Sequence, residues 1–112
     1  MTPRDQASMR QMRDHAVEAQ QLARGRTRND LDADRVFQLA ITRLLEIVGE
    51  ASGRVGEATR DQHPSIAWSQ IVGLRNRLIH GYDEVDCDIL WKIVDDDLPR
   101  LIAKLNKIVS NA

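Results

Sequence analysis

Residues 36–51 read VFQLAITRLLEIVGEA, and the spacing of their apolar side chains decides the fold class. On a helical wheel the apolar positions from Val36 to Val55, with Phe37, Ile41, Leu45 and Val48 among them, cover an arc of about 240°. Period-two alternation is absent, so the stretch is a helix and not a strand. A helix at the edge of a monomer needs an apolar arc of only ~100° or somewhat more. The excess predicts a helix that is central in its bundle or that also packs on a second chain. The charged remainder holds Arg43, Glu46 and Glu50, spaced i, i+3, i+7. It predicts a salt-bridge row on the helix surface. The alternative for two carboxylates four apart is a metal site or an acid–base pair.

Working outward, segments rich in proline or glycine at 25–30, 56–64 and 81–86 divide the chain into four helical stretches. Thr2 and Pro3 read as an N-cap and first-turn proline. They open a polar helix to about residue 24, with Met9, Met12, Ala16, Ala19 and Ala23 as a thin apolar stripe. The second helix runs from about residue 29 or 30 to about 55. Pro64 opens a third, which reaches about His80 and is closed by Gly81. The fourth runs from near Asp86 to near Ile108, with a kink or break at Pro99.

A chain of 112 residues fits one domain, 1–112. Its hydrophobic share of 42% is ordinary for a globular protein, and with only two Trp, one Tyr and one Phe the core must be aliphatic. The net charge of −1 gives the whole chain no basic character, so binding to nucleic acid would need a local patch. Arg54, Arg60, Arg75 and Arg77 are the candidates for one. Cys87 is alone, which excludes an internal disulfide and suits a cytoplasmic setting. No segment approaches the ~18 apolar residues of a membrane span. His15, His63 and Cys87 lack ligand spacing, so neither a metal nor another cofactor is expected.

The informative anomaly lies in the third stretch. Arg75 falls in the middle of an apolar arc formed by Trp68, Ile71, Leu74 and Leu78. A guanidinium there needs an anion. Glu46 or Glu50 would supply it structurally, and a ligand phosphate would supply it functionally. Asn76 and His80, at i and i+4, lie together on the other side. His80 in a last helical turn complements the helix dipole or acts as general acid or base. Tyr82 on its own reads as a packing anchor.

Taken together, Arg75-Asn76-Arg77-Leu78-Ile79-His80-Gly81-Tyr82 matches the Arg–four residues–His–X–Tyr motif of the HEPN superfamily. More narrowly, the chain resembles the HepT toxins of HepT–MntA toxin–antitoxin pairs. Three further blocks carry the likeness: residues 43–51, the run from His63-Pro64 through Trp68 to Arg75, and Val85-Asp86 through Trp91 to Asp97-Leu98-Pro99. The resemblance covers about residues 30–105.

It implies an all-α, HEPN-type antiparallel bundle of four to five helices, assembled as a homodimer or higher oligomer. It implies a metal-independent endoribonuclease in which Arg75 and His80 from both protomers meet in a dimer cleft, supported by Asn76. The substrate would be RNA, tRNA among the candidates. It further implies that a minimal nucleotidyltransferase antitoxin of the MntA kind neutralises the toxin by attaching AMP to Tyr82. The alternative is a non-catalytic HEPN module that docks or regulates a nucleotidyltransferase. The wheel agrees with a shared cleft. Arg75 and His80 would stand about 140° apart on one ideal helix, so a single straight helix would not aim both at one point.

Overall fold

The computed structural model describes residues 1–80 and 84–110, His80 by its backbone alone. These residues are mostly helical. Two long helices, α1 (Pro3–Ala23) and α3 (Arg35–Gly53), form the central pair, and the C-terminal helix α8 (Leu98–Ser110) packs on α1. α1 starts as the sequence predicts: the Thr2 hydroxyl accepts the Asp5 N–H at 3.0 Å. Its thin stripe proves to be core, because Met9, Met12, Ala16 and Ala19 are all fully buried. The two alanines lack the bulk that would hold α3 away.

The expected second helix is two. α2 (Arg28–Ala33) stops at Asp34, whose backbone is extended and whose carboxylate accepts the Phe37 N–H at 3.1 Å to cap α3. A strong N-cap residue thus starts a new helix inside what the apolar pattern reads as one. Along α3 the wide arc is only half used. Ile41, Leu45, Val48 and Ala51 are fully buried, while Val36 is 75% and Leu39 50% exposed.

The expected third helix differs most. A short helix, α4 (Glu57–Gln62), occupies the predicted break. Pro64 opens no helix. It sits in a turn closed by the Ile66 N–H on the His63 carbonyl at 3.2 Å, where its fixed φ suits the second position. The helical segments that follow are α5 (Trp68–Val72) and α6 (Leu74–Leu78), separated at Gly73. The chain then leaves the helix. Ile79 is extended, and β1 (Ile79–His80) pairs antiparallel with β2 (Glu84–Val85) in the register Ile79↔Val85 and His80↔Glu84.

Asp86 caps α7 (Cys87–Lys92), accepting the Asp88 and Ile89 N–H groups at 3.1 Å. A π-helical turn (Ile93–Asp97) joins α7 to α8, with the Leu98 N–H bonded to the Ile93 carbonyl. The wide turn ends one residue short of Pro99. The extra residue lets the helix run on past the missing donor, so the expected disruption takes the form of a bulge.

Two contacts hold the site-bearing segment against this frame. Gly49 of α3 lies so close to α5 that a Cβ there would come within 2.9 Å of the Ile71 carbonyl oxygen. Arg60 donates to the Val55 carbonyl at 2.9 Å and the Ser52 carbonyl at 3.1 Å, and its guanidinium lies 5.8 Å from the Trp68 ring centre. It therefore caps the end of α3 and touches the first residue of α5 at once.

Candidate active site

α6 has five residues and no side-chain cap. What fixes it is burial: Leu74 is 4% and Leu78 0% exposed, and they plug the helix into the core. Arg75 and Asn76 are exposed on its surface, and Arg77 is half-buried. The sequence placed Arg75 inside an apolar arc. Its side chain is instead 66% exposed. The reason is the interruption at Gly73, which ends the wheel drawn from Trp68 before it reaches Arg75. The desolvation argument for an obligatory anion therefore does not apply.

Arg75 nevertheless has an acidic neighbour. Its Nε lies 3.7 Å from Glu46 Oε2, and Glu46 is only 17% exposed. Glu46 also lies 3.9 Å from Arg43, and Arg43 meets Glu50 at 3.1 Å. Glu50, Arg43, Glu46 and Arg75 thus form an alternating row from α3 to α6. At 3.7 Å the last link is longer than a hydrogen bond and belongs with surface ion pairs worth ~0–1 kcal/mol. It orients the guanidinium loosely and leaves most of its donor fork facing solvent.

His80 does not share a helix with Asn76, so the i, i+4 arrangement and a dipole-capping role at a last helical turn both fall away. The chain turns extended at Ile79, and the Asp86 N–H donates to the Leu78 carbonyl at 2.7 Å. That bond and the two-residue ladder tie the end of the motif to the start of α7. The His80 backbone is thereby set two residues past the end of α6. Tyr82 and Gly81 lie outside the described residues.

The other arginines separate by role. Arg60 is occupied by backbone carbonyls, and Arg54 bonds Gln11 at 3.0 Å. Arg77 leans to the opposite flank of α6 from Arg75, toward Arg100 and Lys104 of α8. On the β2 side the surface is acidic. Asp32, Glu84, Asp86 and Asp88 surround Arg28, which pairs with Asp88 at 2.8 Å and Asp32 at 2.9 Å. The Asp88 hydrogen bond, foremost, raises the Arg28 pKa. Among the described residues no group of three or more His, Cys, Asp or Glu side chains is gathered as a metal ion would need. None of the described helices is long and apolar enough to cross a membrane.

Sequence reasoning missed the strand pairing and the direction of Arg77. The β-branched Ile79 and Val85 on either side of Gly81 were a weak signal for the first. A wheel restarted at Gly73 would have given the second.

The helical frame thus presents Arg75 and Asn76 on a short helix, with the His80 backbone just past its end. The HepT-like ribonuclease model matches residues 12–108. The chain belongs to that family, within the HEPN superfamily. A candidate RNase of Methanocaldococcus jannaschii is 41% identical over 73 residues, 65% of this chain and 67% of that one. The ribonuclease HepT candidate of Thermococcus cleftensis is 40% identical over 79 residues, 70% of this chain and 72% of that one. A candidate RNase of Caldanaerobacter subterraneus is 34% identical over 80 residues, 71% of each chain. No solved structure matches the chain.

Proposed function

We propose that this chain, as one HEPN domain over residues 1–112, is a metal-independent endoribonuclease and the toxin of a toxin–antitoxin pair. Membership of a ribonuclease family, with Arg75 exposed on α6 and the His80 backbone two residues past its end, is the observation that carries the reading. The 2′-hydroxyl of the substrate attacks the adjacent phosphorus while the bond to the 5′-oxygen of the next nucleotide breaks. His80 takes the proton from the 2′-hydroxyl or supplies one to the leaving oxygen. Arg75 stabilises the charge that builds on the phosphate oxygens, and Asn76 orients the imidazole or contacts phosphate. The product is a 2′,3′-cyclic phosphate.

The cleft is completed by a second copy. Val36 and Leu39 are exposed on the same face of α3 as the Arg43–Glu50 row, and a two-fold axis there would bring two motif segments together. Regulation is by a nucleotidyltransferase that attaches AMP to Tyr82, placing phosphate charge where the RNA would bind.

The test is cleavage of RNA by purified protein. Wild type should cut in the presence of EDTA and leave cyclic phosphate ends. His80→Ala should not cut, yet should sediment as a dimer. Cleavage that survives in His80→Ala, or that needs added Mg²⁺, would overturn the mechanism. Co-expression with a cognate nucleotidyltransferase should add AMP-sized mass to wild type and none to Tyr82→Phe. Neutralisation of the toxin without added mass would favour the docking-module reading.

A further inference from the structure

A groove of about 230 Å³ opens between α5–α6 and the start of α8. Its floor is apolar, built from Leu45 and Val48 of α3, Ile71 and Leu74 beneath the motif, and Leu98. Its rim is basic. Arg77 reaches it from α6, and Arg100 and Lys104 reach it from α8. Lys104 donates to the Ser65 carbonyl at 2.6 Å, which holds the turn before α5 at the edge of the groove. Asp97 is the acidic group of the lining, and it meets Lys92 at 3.4 Å and Arg100 at 3.6 Å. Arg100 is itself held by Asp96 at 2.7 Å, which leaves Arg77 and Lys104 as the rim cations with no carboxylate partner among the described residues. Among the described residues no carboxylate pairs with Arg77. A half-buried guanidinium with no carboxylate partner among the described residues, at the mouth of an apolar groove, is suited to an anion whose neighbouring group is flat and weakly polar.

Arg75 and Arg77 stand on opposite flanks of the Leu74–Leu78 line that anchors α6. An extended strand lying across this one-turn helix would meet both. With the scissile phosphate at Arg75, the strand would continue over Arg77 toward the groove. The volume lies below the roughly 300 Å³ at the lower end of ordinary small-molecule sites. It suits one ring system and not a helix or a longer apolar segment. Gln70 also lines the groove, and its side-chain amide can both donate to and accept from the edge of a base.

We propose that this groove is a nucleotide subsite for the RNA strand. It receives the base of a nucleotide flanking the cleavage point, while Arg77 binds that nucleotide's phosphate. The inference rests on the ribonuclease reading and adds a determinant of substrate choice to it. A chain with net charge −1 would then hold RNA by a narrow basic line and one base pocket, not by a broad positive face.

Binding of a short fluorescent RNA is measured by anisotropy in a His80→Ala background, where no cleavage interferes. Arg77→Ala should reduce affinity and lower the slope of log affinity against log salt by about 0.7, the loss of one phosphate contact on a single strand. Ala67→Trp places a ring in the groove without altering charge, since Ala67 is exposed and lines it. It should weaken binding about tenfold, the effect of one lost base contact. RNAs with one abasic position, scanned along the strand, should include one that binds the His80→Ala protein about tenfold more weakly and the Ala67→Trp double variant no more weakly than intact RNA does. Unchanged affinity in both variants overturns the subsite while leaving the ribonuclease reading intact. An abasic loss that persists in full with Ala67→Trp also overturns it. A wild-type protein that cuts no RNA overturns the reading itself, and the subsite with it.

Discussion

The frame of α1, α3 and α8 and the segment from α5 to β2 are built on opposite principles. The frame's three helices have 21, 19 and 13 residues. α1 and α3 are capped by Thr2 and Asp34, and each helix buries a full apolar stripe. The motif segment is made of two five-residue helices and a two-residue ladder. Neither helix would persist alone, because helices this short do not repay nucleation in water. They exist because Trp68, Ile71, Leu74 and Leu78 are pinned into the frame. Polar side chains on such a segment are free of duties to the fold. That frees Arg75, Asn76 and Arg77 for chemistry.

The strongest way to break this comparison is to move substitutions across it. Arg75→Ala should lower RNA cleavage by about 10²-fold or more, as the loss of a charge-stabilising donor does. It should leave the melting temperature almost unchanged, because its ion pair to Glu46 is worth ~1 kcal/mol at most. Leu45→Ala should do the reverse on the stability axis, costing about 2–5 kcal/mol as a buried cavity. Thermal melting and initial-rate assays on the two variants decide the matter. A large melting shift for Arg75→Ala would show that the motif helix is part of the frame.

The contact between the two regions offers a sharper probe. Gly49→Ala puts a methyl 2.9 Å from the Ile71 carbonyl oxygen. The atom it meets is backbone, so α5 must shift. The expected cost is about 1–3 kcal/mol, typical of overpacking. The shift should displace α6 with its neighbour, so cleavage should fall even under conditions where the variant is fully folded. If stability drops and folded-state activity does not, α6 is positioned by its own leucines and not through Gly49.

The same division explains what could be read from the sequence. Long apolar periodicities decide the frame, and α1, α3 and α8 fall within the helical stretches that the pattern of Met9, Met12, Ile41, Leu45, Leu98 and Leu105 marks. The catalytic candidates were legible as residue types in a known order. Their placement was not. A wheel assumes an unbroken helix, and the breaks at Asp34, Gly73 and Ile79 depend on one capping carboxylate, one glycine and one distant strand. Within residues 64–80 only the β-branched Ile79 hints that Glu84 and Val85 will pair with Ile79 and His80. That information lies in tertiary context, which overrides local propensity in short elements.

Asp5 gives the smallest effect and a test confined to the frame. The residue is 6% exposed. It accepts the Thr59 hydroxyl and the Gly56 N–H, the latter at 3.0 Å, so it ties the first turn of α1 to the start of α4. The Thr59 hydrogen bond, foremost, and the Gly56 N–H hold its pKa below the ordinary value of 3.8, against the raising effect of burial. A carboxylate with a depressed folded pKa stabilises the fold above its unfolded pKa, and that stability is lost as pH falls through the folded value. Asp34 is depressed in the same direction, chiefly by the Phe37 N–H, so it contributes to the same acid limb. Urea midpoints compared at neutral pH and near pH 3 should therefore fall with acid in wild type. Asp5→Asn should begin lower at neutral pH, because an amide cannot accept both bonds as strongly, and should fall less on acidification. The acid limb that remains in Asp5→Asn includes that of Asp34. If Asp5→Asn loses as much stability between the two pH values as wild type, the link between α1 and α4 is held by packing and not by this charge.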